Sequence, residues 1–353
     1  MISLAFLLFV PLSLVLKYLV AADPIWLFLT GAVAVAALAD WIRRATEQLA
    51  ERAGSAIGGL LNVSFGSISE LVLSLFVLAQ GEVSVVKAQI TGSIIGTSLL
   101  GLGLAMLVGG FGRERQIFHR ANTGLLSTLL ILVVIALLMP AVFDLTAHAG
   151  IRDMIVTDER LSIGASVVLL LLYGANLVFT LITHRDIFAG DEPRAATGWS
   201  LPRSFAVLIG GTIFVALEAE LVSDALTATA SQLHVSKTFL GVIVLALVGT
   251  SADLFAAVAF ARQDRMSIVF SICIGSAIQM ALVVAPLLVL LSWLIGHPMN
   301  LVFDNPLDLF AIAATAFVVR AIAADGETTW FEGLLLVGVY ILFGLAFFFV
   351  EPA

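Results

Sequence analysis

Two carboxylates in this sequence stand where a carboxylate is costly. Glu70 lies in "GSISEL" (66–71), inside a run from Ile57 to Leu78 that is otherwise apolar or small. Asp253 lies in "GTSADL" (249–254), midway along the run from Phe239 to Ala261. An ionised acid in hydrocarbon costs at least about 2.5–3.5 kcal/mol. It has to be paired, protonated, or facing water or an ion. Neither run contains Lys or Arg, so no internal ion pair is expected. For either acid alone, the plain alternative is a protonated carboxyl hydrogen-bonded inside a helix bundle. Two acids brought together repel unless they hold protons, and a shared cation reverses that repulsion while displacing the protons. The pair then titrates as a unit. A site that holds either a cation or protons, but not both, is what exchange requires.

The neighbouring residues fit an oxygen cage. Ser67 and Thr250 stand three residues before the acids, on the same helical face. Ser93, Ser276 and Gln279 come from the apolar spans that follow. Hard cations such as Ca²⁺ take several oxygens at about 2.3–2.6 Å. Gly66 and Gly249 would let their helices open, so that backbone carbonyls join. The expected cation set is therefore Glu70, Asp253, Gly66, Gly249, Ser67, Thr250, Ser93, Ser276 and Gln279, with Glu70 and Asp253 also carrying the protons. Small hydroxyl residues and glycines also suit close packing of membrane helices, and Thr97 and Gln89 read as packing residues.

The elements that must hold these groups follow from composition. The 353-residue chain is 61% hydrophobic and only 12% charged, with mean hydropathy +1.12. Soluble domains are roughly half apolar and about a quarter charged. Spans of about 20 apolar residues are long enough to cross a bilayer as helices. A β-barrel would require alternation with period two, which is absent. About eleven apolar spans can be drawn: 2–20, 25–42, 57–79, 85–109, 121–143, 161–183, 204–224, 238–261, 267–295, 307–323 and 329–350. The expected fold is an all-α integral membrane protein. The first span has no basic residue before Lys17 and contains Pro11, so it reads as a retained helix and not a secretory signal. The net charge of −8 leaves no basic footprint for nucleic acid. The single Cys273 excludes an intrachain disulfide. The five histidines, His119, His148, His184, His234 and His297, show no metal-ligand spacing.

An internal repeat organises the spans. Glu70 and Asp253 are 253 − 70 = 183 apart. The same offset pairs Gly58 with Gly241, Gly66 with Gly249, Gly92 with Gly275 and Ser93 with Ser276, among ten identities in 42 positions. The matches fall on glycines, a Gly-Ser pair and the acids, not merely on Leu and Ala. The loops after spans 2, 4, 6, 8 and 10 hold twelve Lys and Arg against four in the loops after spans 1, 3, 5, 7 and 9, which places the first set of loops in the cytoplasm. The N-terminus is then cytoplasmic and the C-terminus outside. Span 3 begins inside and span 8 outside, so the repeats are inverted, an architecture of secondary transporters. The expected layout is a peripheral helix at 1–22, a first repeat at 23–183, a cytoplasmic linker at 184–203 and a second repeat at 204–353. Glu218, Glu220 and Asp224 read as a solvated helix end, and Glu47 and Glu51 as a surface helix pairing with Arg43 and Arg44.

At the acids the chain resembles the calcium/proton exchangers, the CAX family of the cation/calcium antiporter superfamily. That family carries Gly-Asn-x-x-Glu in each of two repeats. "TEQLAERAGSAIGGLLNVSFGSISELVLSLFVLAQG" and "VVKAQITGSIIGTSLLGLG" are similar to its first repeat. "SKTFLGVIVLALVGTSADLFAAVAFARQDRMSIVFSICIGSAIQMALVVAPLLVLLSWLIG" is similar to its second, and "ADGETTWFEGLLLVGVYILFGLAFFF" to its last helix. The resemblance implies eleven helices, one peripheral and two inverted sets of five. It also implies alternating access, with the two acids exchanging Ca²⁺ for protons. The family Asn is replaced by Ser67 and Thr250, the second Glu by Asp253, and the Asn after Gly96 by Thr97.

A Ca²⁺/H⁺ antiporter in the cell membrane is therefore the expected function, with no enzyme activity, no cofactor, and cations, protons and lipid as partners. A Na⁺ or K⁺/H⁺ antiporter on the same fold is the alternative, with a cation channel behind it. An intramembrane diacid protease would need a Gly-x-Gly-Asp pattern, which is absent, and a retinal protein would need a mid-span Lys. The oligomeric state is not legible from the sequence.

Overall fold

The computed structural model describes residues 5–147, 154–183, 198–303 and 305–350. Most of the linker, with His184, Arg185 and Arg194, lies outside the described residues, as do His148 and Arg152 and the side chain of Glu51. Eleven helices run through the described residues. The first is α1 (Phe9–Val15, continued by a π turn at Leu16–Val20), followed by α2 (Pro24–Phe65) and α3 (Ile68–Ala79). Next come α4 (Val83–Gly110), α5 (Arg120–Ala147) and α6 (Met154–Val178, extended by a π turn at Phe179–Thr183). The second half holds α7 (Leu201–Leu233), α8 (Lys237–Arg262), α9 (Met266–Ile295), α10 (Pro306–Ile322) and α11 (Trp330–Phe348). Eight of these are long and apolar enough to cross a membrane.

Local chemistry sets the helix ends. Ser236 opens α8 by accepting from the Phe239 amide at 3.0 Å. Asn305 does the same for Leu307 at 2.9 Å, with Pro306 in the first turn of α10. Thr329 and Glu332 form a reciprocal capping box on α11. Such caps satisfy amides that have no partner within the helix. A two-residue antiparallel pairing of β1 (Gln116–Ile117) with β2 (Glu327–Thr328) ties the loop after α4 to the loop before α11.

The 183-residue offset recurs at one pair of helix distortions. A π turn interrupts α4 at Gly96–Gly101 and α9 at Met280–Val284. Subtracting 183 from the second gives 97–101, the same place. Elements 183 residues apart also run antiparallel where they meet. Gly31 of α2 faces Val222 of α7, while Ile42 faces Gly211. Along α2 the numbers rise as those on α7 fall. Helix α4 is the most enclosed, 83% buried over its apolar window, against 22% for α6 and 28% for α11. The acid-bearing α3 and α8 pack beside α4, and α5, α6 and α11 form part of the rim.

Two boundaries differ from the sequence reading. Spans 2 and 3 are joined in one 42-residue helix, and the break falls at Gly66–Ser67, just before the acid, where Ser67 has φ −103° and ψ 19°. A straight helix would separate Arg43 and Gly66, 66 − 43 = 23 residues apart, by about 34 Å. Both line one cavity, so α2 bends back on itself. Glu218 is the second difference. It is fully buried, not part of a solvated end. Ser13 of α1 lies 2.7 Å from its Oε1, and Gly31 of α2 stands against its Oε2. Glu220 and Asp224 stay exposed, the latter bridged to Lys17 at 3.2 Å. The helical period puts Glu218 and Val222 on the face that α1 and α2 cover.

The halves do not close alike. A Cβ on Gly92 would sit 1.9 Å from the Val242 carbonyl oxygen, and one on Gly241 2.7 Å from that of Val85. Gly275, the counterpart of Gly92, has nothing within 4 Å. Gly92→Ala should therefore lower the thermal midpoint in detergent by several degrees, an overpacking cost of about 1–3 kcal/mol. Gly275→Ala should leave that midpoint within about one degree of wild type. Equal shifts for the two variants would contradict the asymmetry.

Candidate functional site

The break at Gly66–Ser67 starts α3 two residues before Glu70, so the acid sits in the first turn of a new helix. The helix N-terminus favours negative charge there. Glu70 is 2% exposed and its Oε1 has no hydrogen-bond partner. The hydroxyls of Ser93 and Ser67 face its carboxyl. Ser67 Oγ donates to Gln279 Oε1 at 3.1 Å, linking α3 to α9. The Ser93 hydroxyl is buried and, like Glu70 Oε1, makes no bond.

Asp253 sits differently. It is half-buried and opens on a cavity of about 220 Å³, lined also by Gly66, Ser276 and Gln279. The Ser276 hydroxyl faces its carboxyl. Helix α8 does not open at Gly249 but runs on unbroken from Ala246 to Arg262. The glycine instead admits Glu70: a Cβ there would lie 2.8 Å from Glu70 Cγ. Thr250 donates its hydroxyl to the Ala246 carbonyl at 2.8 Å, leaving only its lone pairs for a ligand. Thr97 likewise donates to the Ser93 carbonyl at 2.8 Å, in keeping with a packing role.

Of the nine expected residues, seven come together directly. Glu70, Ser67, Ser93 and Gly249 surround one carboxyl, and Asp253, Ser276 and Gly66 the other. Gln279 joins the two groups. Thr250 faces Gly96 but directs its proton to its own helix. Among the described residues no group of three or more His, Cys, Asp or Glu is placed to hold a metal ion.

Three residues were not expected. Arg43 and Glu47 line the cavity with Asp253. They were read as a surface pair, and only the bend of α2 brings them in. Arg43 binds Glu47 and also Asp40, the latter at 3.2 Å, and lies within electrostatic reach of Asp253. The cation beside Asp253 thus comes from a neighbouring helix. Gln89 is the third. It is fully buried one turn before Ser93, and neither amide atom has a partner. Packing alone rarely leaves a buried amide so. Its polarity in an apolar run was the available signal.

The close approach of α8 to Glu70 gives a direct test. Gly249→Ala should displace the Glu70 side chain and cut cation transport in vesicles about tenfold or more, with the purified protein still monodisperse. Transport at the wild-type rate would remove the contact from the site.

The sodium/calcium exchanger protein family matches residues 24–182 and 203–349. The chain is similar to a Ca²⁺/H⁺ antiporter of Aphanothece halophytica, at 38% identity over 97% of this chain and 95% of that protein. It is also similar to the Ca²⁺/H⁺ antiporter ChaA of Bacillus subtilis, at 38% identity over 91% and 92%. Its fold superposes on the solved structure of native YfkE with a TM-score of 0.84, at 34% identity, covering 98% of this chain and 100% of that one. With its paired acids, its matched π turns and this likeness along nearly its whole length, the chain belongs to the sodium/calcium exchanger protein family, on the calcium/proton exchanger (CAX) branch.

Proposed function

We propose that this chain is a secondary active antiporter that exchanges Ca²⁺ for protons across a membrane, with Glu70 and Asp253 holding each load in turn. The reading rests on one observation above others. Equivalent positions of the two halves each carry one carboxyl, the two lie within electrostatic reach of each other, and the buried Glu70 Oε1 and Ser93 Oγ lack partners. Two carboxylates are neutral with one divalent cation or with two protons. Either load therefore occupies the buried site without net charge, whereas the empty pair bears the full burial cost. Ser67, Ser93, Ser276, Gln279 Oε1, the lone pairs of Thr250 and carbonyls near the break at Gly66 would complete the oxygen shell that Ca²⁺ takes.

The halves act as inverted repeats, 23–183 and 204–353, with residues 1–22 as a peripheral helix and 184–203 as the linker. The antiparallel course of α2 and α7 and the matched π turns support this layout. With the N-terminus in the cytoplasm and the C-terminus outside, the cavity beside Asp253 opens inward. The tight crossings at Gly92 and Gly241 then close the outer side, so this form faces the cytoplasm. Alternating access would loosen those crossings and close the space beside Gly275.

The departures from Asn at Ser67 and Thr250 favour testing Na⁺ and K⁺ beside Ca²⁺. The protein would be reconstituted into vesicles with an imposed pH gradient, and Ca²⁺, Na⁺, K⁺, Mg²⁺ and Mn²⁺ added in turn. Ca²⁺ should collapse the gradient at the lowest concentration. Glu70→Gln and Asp253→Asn should each reduce that flux at least a hundredfold while melting like wild type. Wild-type exchange in both variants would sink the proposal, and flux indifferent to the pH gradient would make the protein a channel.

A further inference from the structure

A second, larger cavity lies on the rim. It has a volume of about 710 Å³ and runs between α5, α6 and α9. Its lining is overwhelmingly apolar, and its outer edge belongs to the exposed belt, where Leu132 is 60% and Leu172 48% exposed. At its inner end it is lined by Gly275 and Gln279. The same two residues line the cavity that holds Asp253. One layer of residues thus separates the belt-facing groove from the ion cavity. At Gly275 that layer has no side chain, and a Cβ there would meet nothing within 4 Å.

We infer that an acyl chain of a bilayer phospholipid occupies this groove and completes the wall of the ion cavity at Gly275. The groove opens sideways onto a surface of leucines, and the medium that meets such a surface in a membrane protein is hydrocarbon. Water is the poorer occupant, because a buried water needs two to four polar partners, most of the wall is apolar, and the hydroxyls of Thr128 and Thr180 in it already donate to their own helices. A cavity of this size falls within the range of about 300–1,000 Å³ that holds small ligands. A chain lying there keeps water from leaving the ion cavity toward the lipid and leaves the side past Arg43 and Glu47 as the wet approach to Asp253. Occupation of the groove stands on its shape and lining. The sealing role rests on the antiporter reading.

The test separates the two. Full-length protein is reconstituted into phosphatidylcholine vesicles containing a few mole percent of a phosphatidylcholine with a diazirine on its acyl chain. After illumination, labelled peptides are mapped by mass spectrometry. Peptides of α5 around Leu129 and of α6 around Ala175 should carry at least about five times the label of α11 around Leu334 and Leu342. These last are 46% and 65% exposed and line neither cavity. Label should also reach the α9 peptide holding Gly275 and Gln279. Leu129→Trp and Ala175→Trp, which fill the groove from its two sides, should each lower the α9 label at least fivefold. Equal labelling of the groove and α11, or no label on α9, would mean bulk lipid contact only and would overturn the inference. These readouts do not involve transport, so they stand or fall apart from the identity of the exchanged ion.

Discussion

The structure depends on the cost of an unpaired carboxylate in a medium that cannot solvate it. A bare charge at Glu70 would be intolerable facing lipid, so the chain surrounds it with α3, α4 and α8 and places the hydroxyls of Ser93 and Ser67 against it, that of Ser93 making no other bond. The buried oxygens without partners at Glu70 and Ser93 would be faults in a structural core. In the proposed site they are expected, because a fully satisfied carboxyl would have no reason to bind an ion. Even the helix break serves this end: the new N-terminus at Ser67 points its free amides along the axis that carries the acid.

Pairing two halves solves a second problem. One carboxylate cannot neutralise a divalent cation, and two on one helix would repel with no relief when empty. Placing one on each repeat makes the electrostatic balance a property of how the halves meet. Small residues at the crossings permit that meeting. Gly249 lets α8 approach Glu70, and Gly92 and Gly241 let α4 and α8 touch backbone to backbone. The contrast between Gly92 and Gly275 shows that the halves share a sequence pattern but adopt different local packing, which is what a molecule with two alternating forms requires.

Much of this was legible in the sequence. The eleven helices follow from hydropathy, and the acids at an offset of 183 point to a repeat before any coordinate is seen. Glu70, Ser67 and Ser93 lie together as their spacing implies. What was not legible depends on crossings between distant helices. Local pattern gives the face on which Glu218 lies, but not that α1 covers it. Charge pairing between Arg43 and Glu47 reads as a surface helix because i and i+4 spacing is the same on a surface and at a cavity mouth. Gly66 and Gly249 look equivalent in the alignment. One breaks a helix and the other admits a neighbour, a difference that only the packing decides.

The contact between Ser13 and Glu218 bears on how the chain is made. Helix α1 packs on α2 and α7, and its Ser13 shields a carboxyl synthesised some two hundred residues later. During synthesis the first helix must wait in the bilayer until α7 arrives, and α7 cannot settle beside α2 without exposing Glu218 to lipid unless α1 is already there. The contact thus joins two helices far apart in the chain, and it forms only once both are in place.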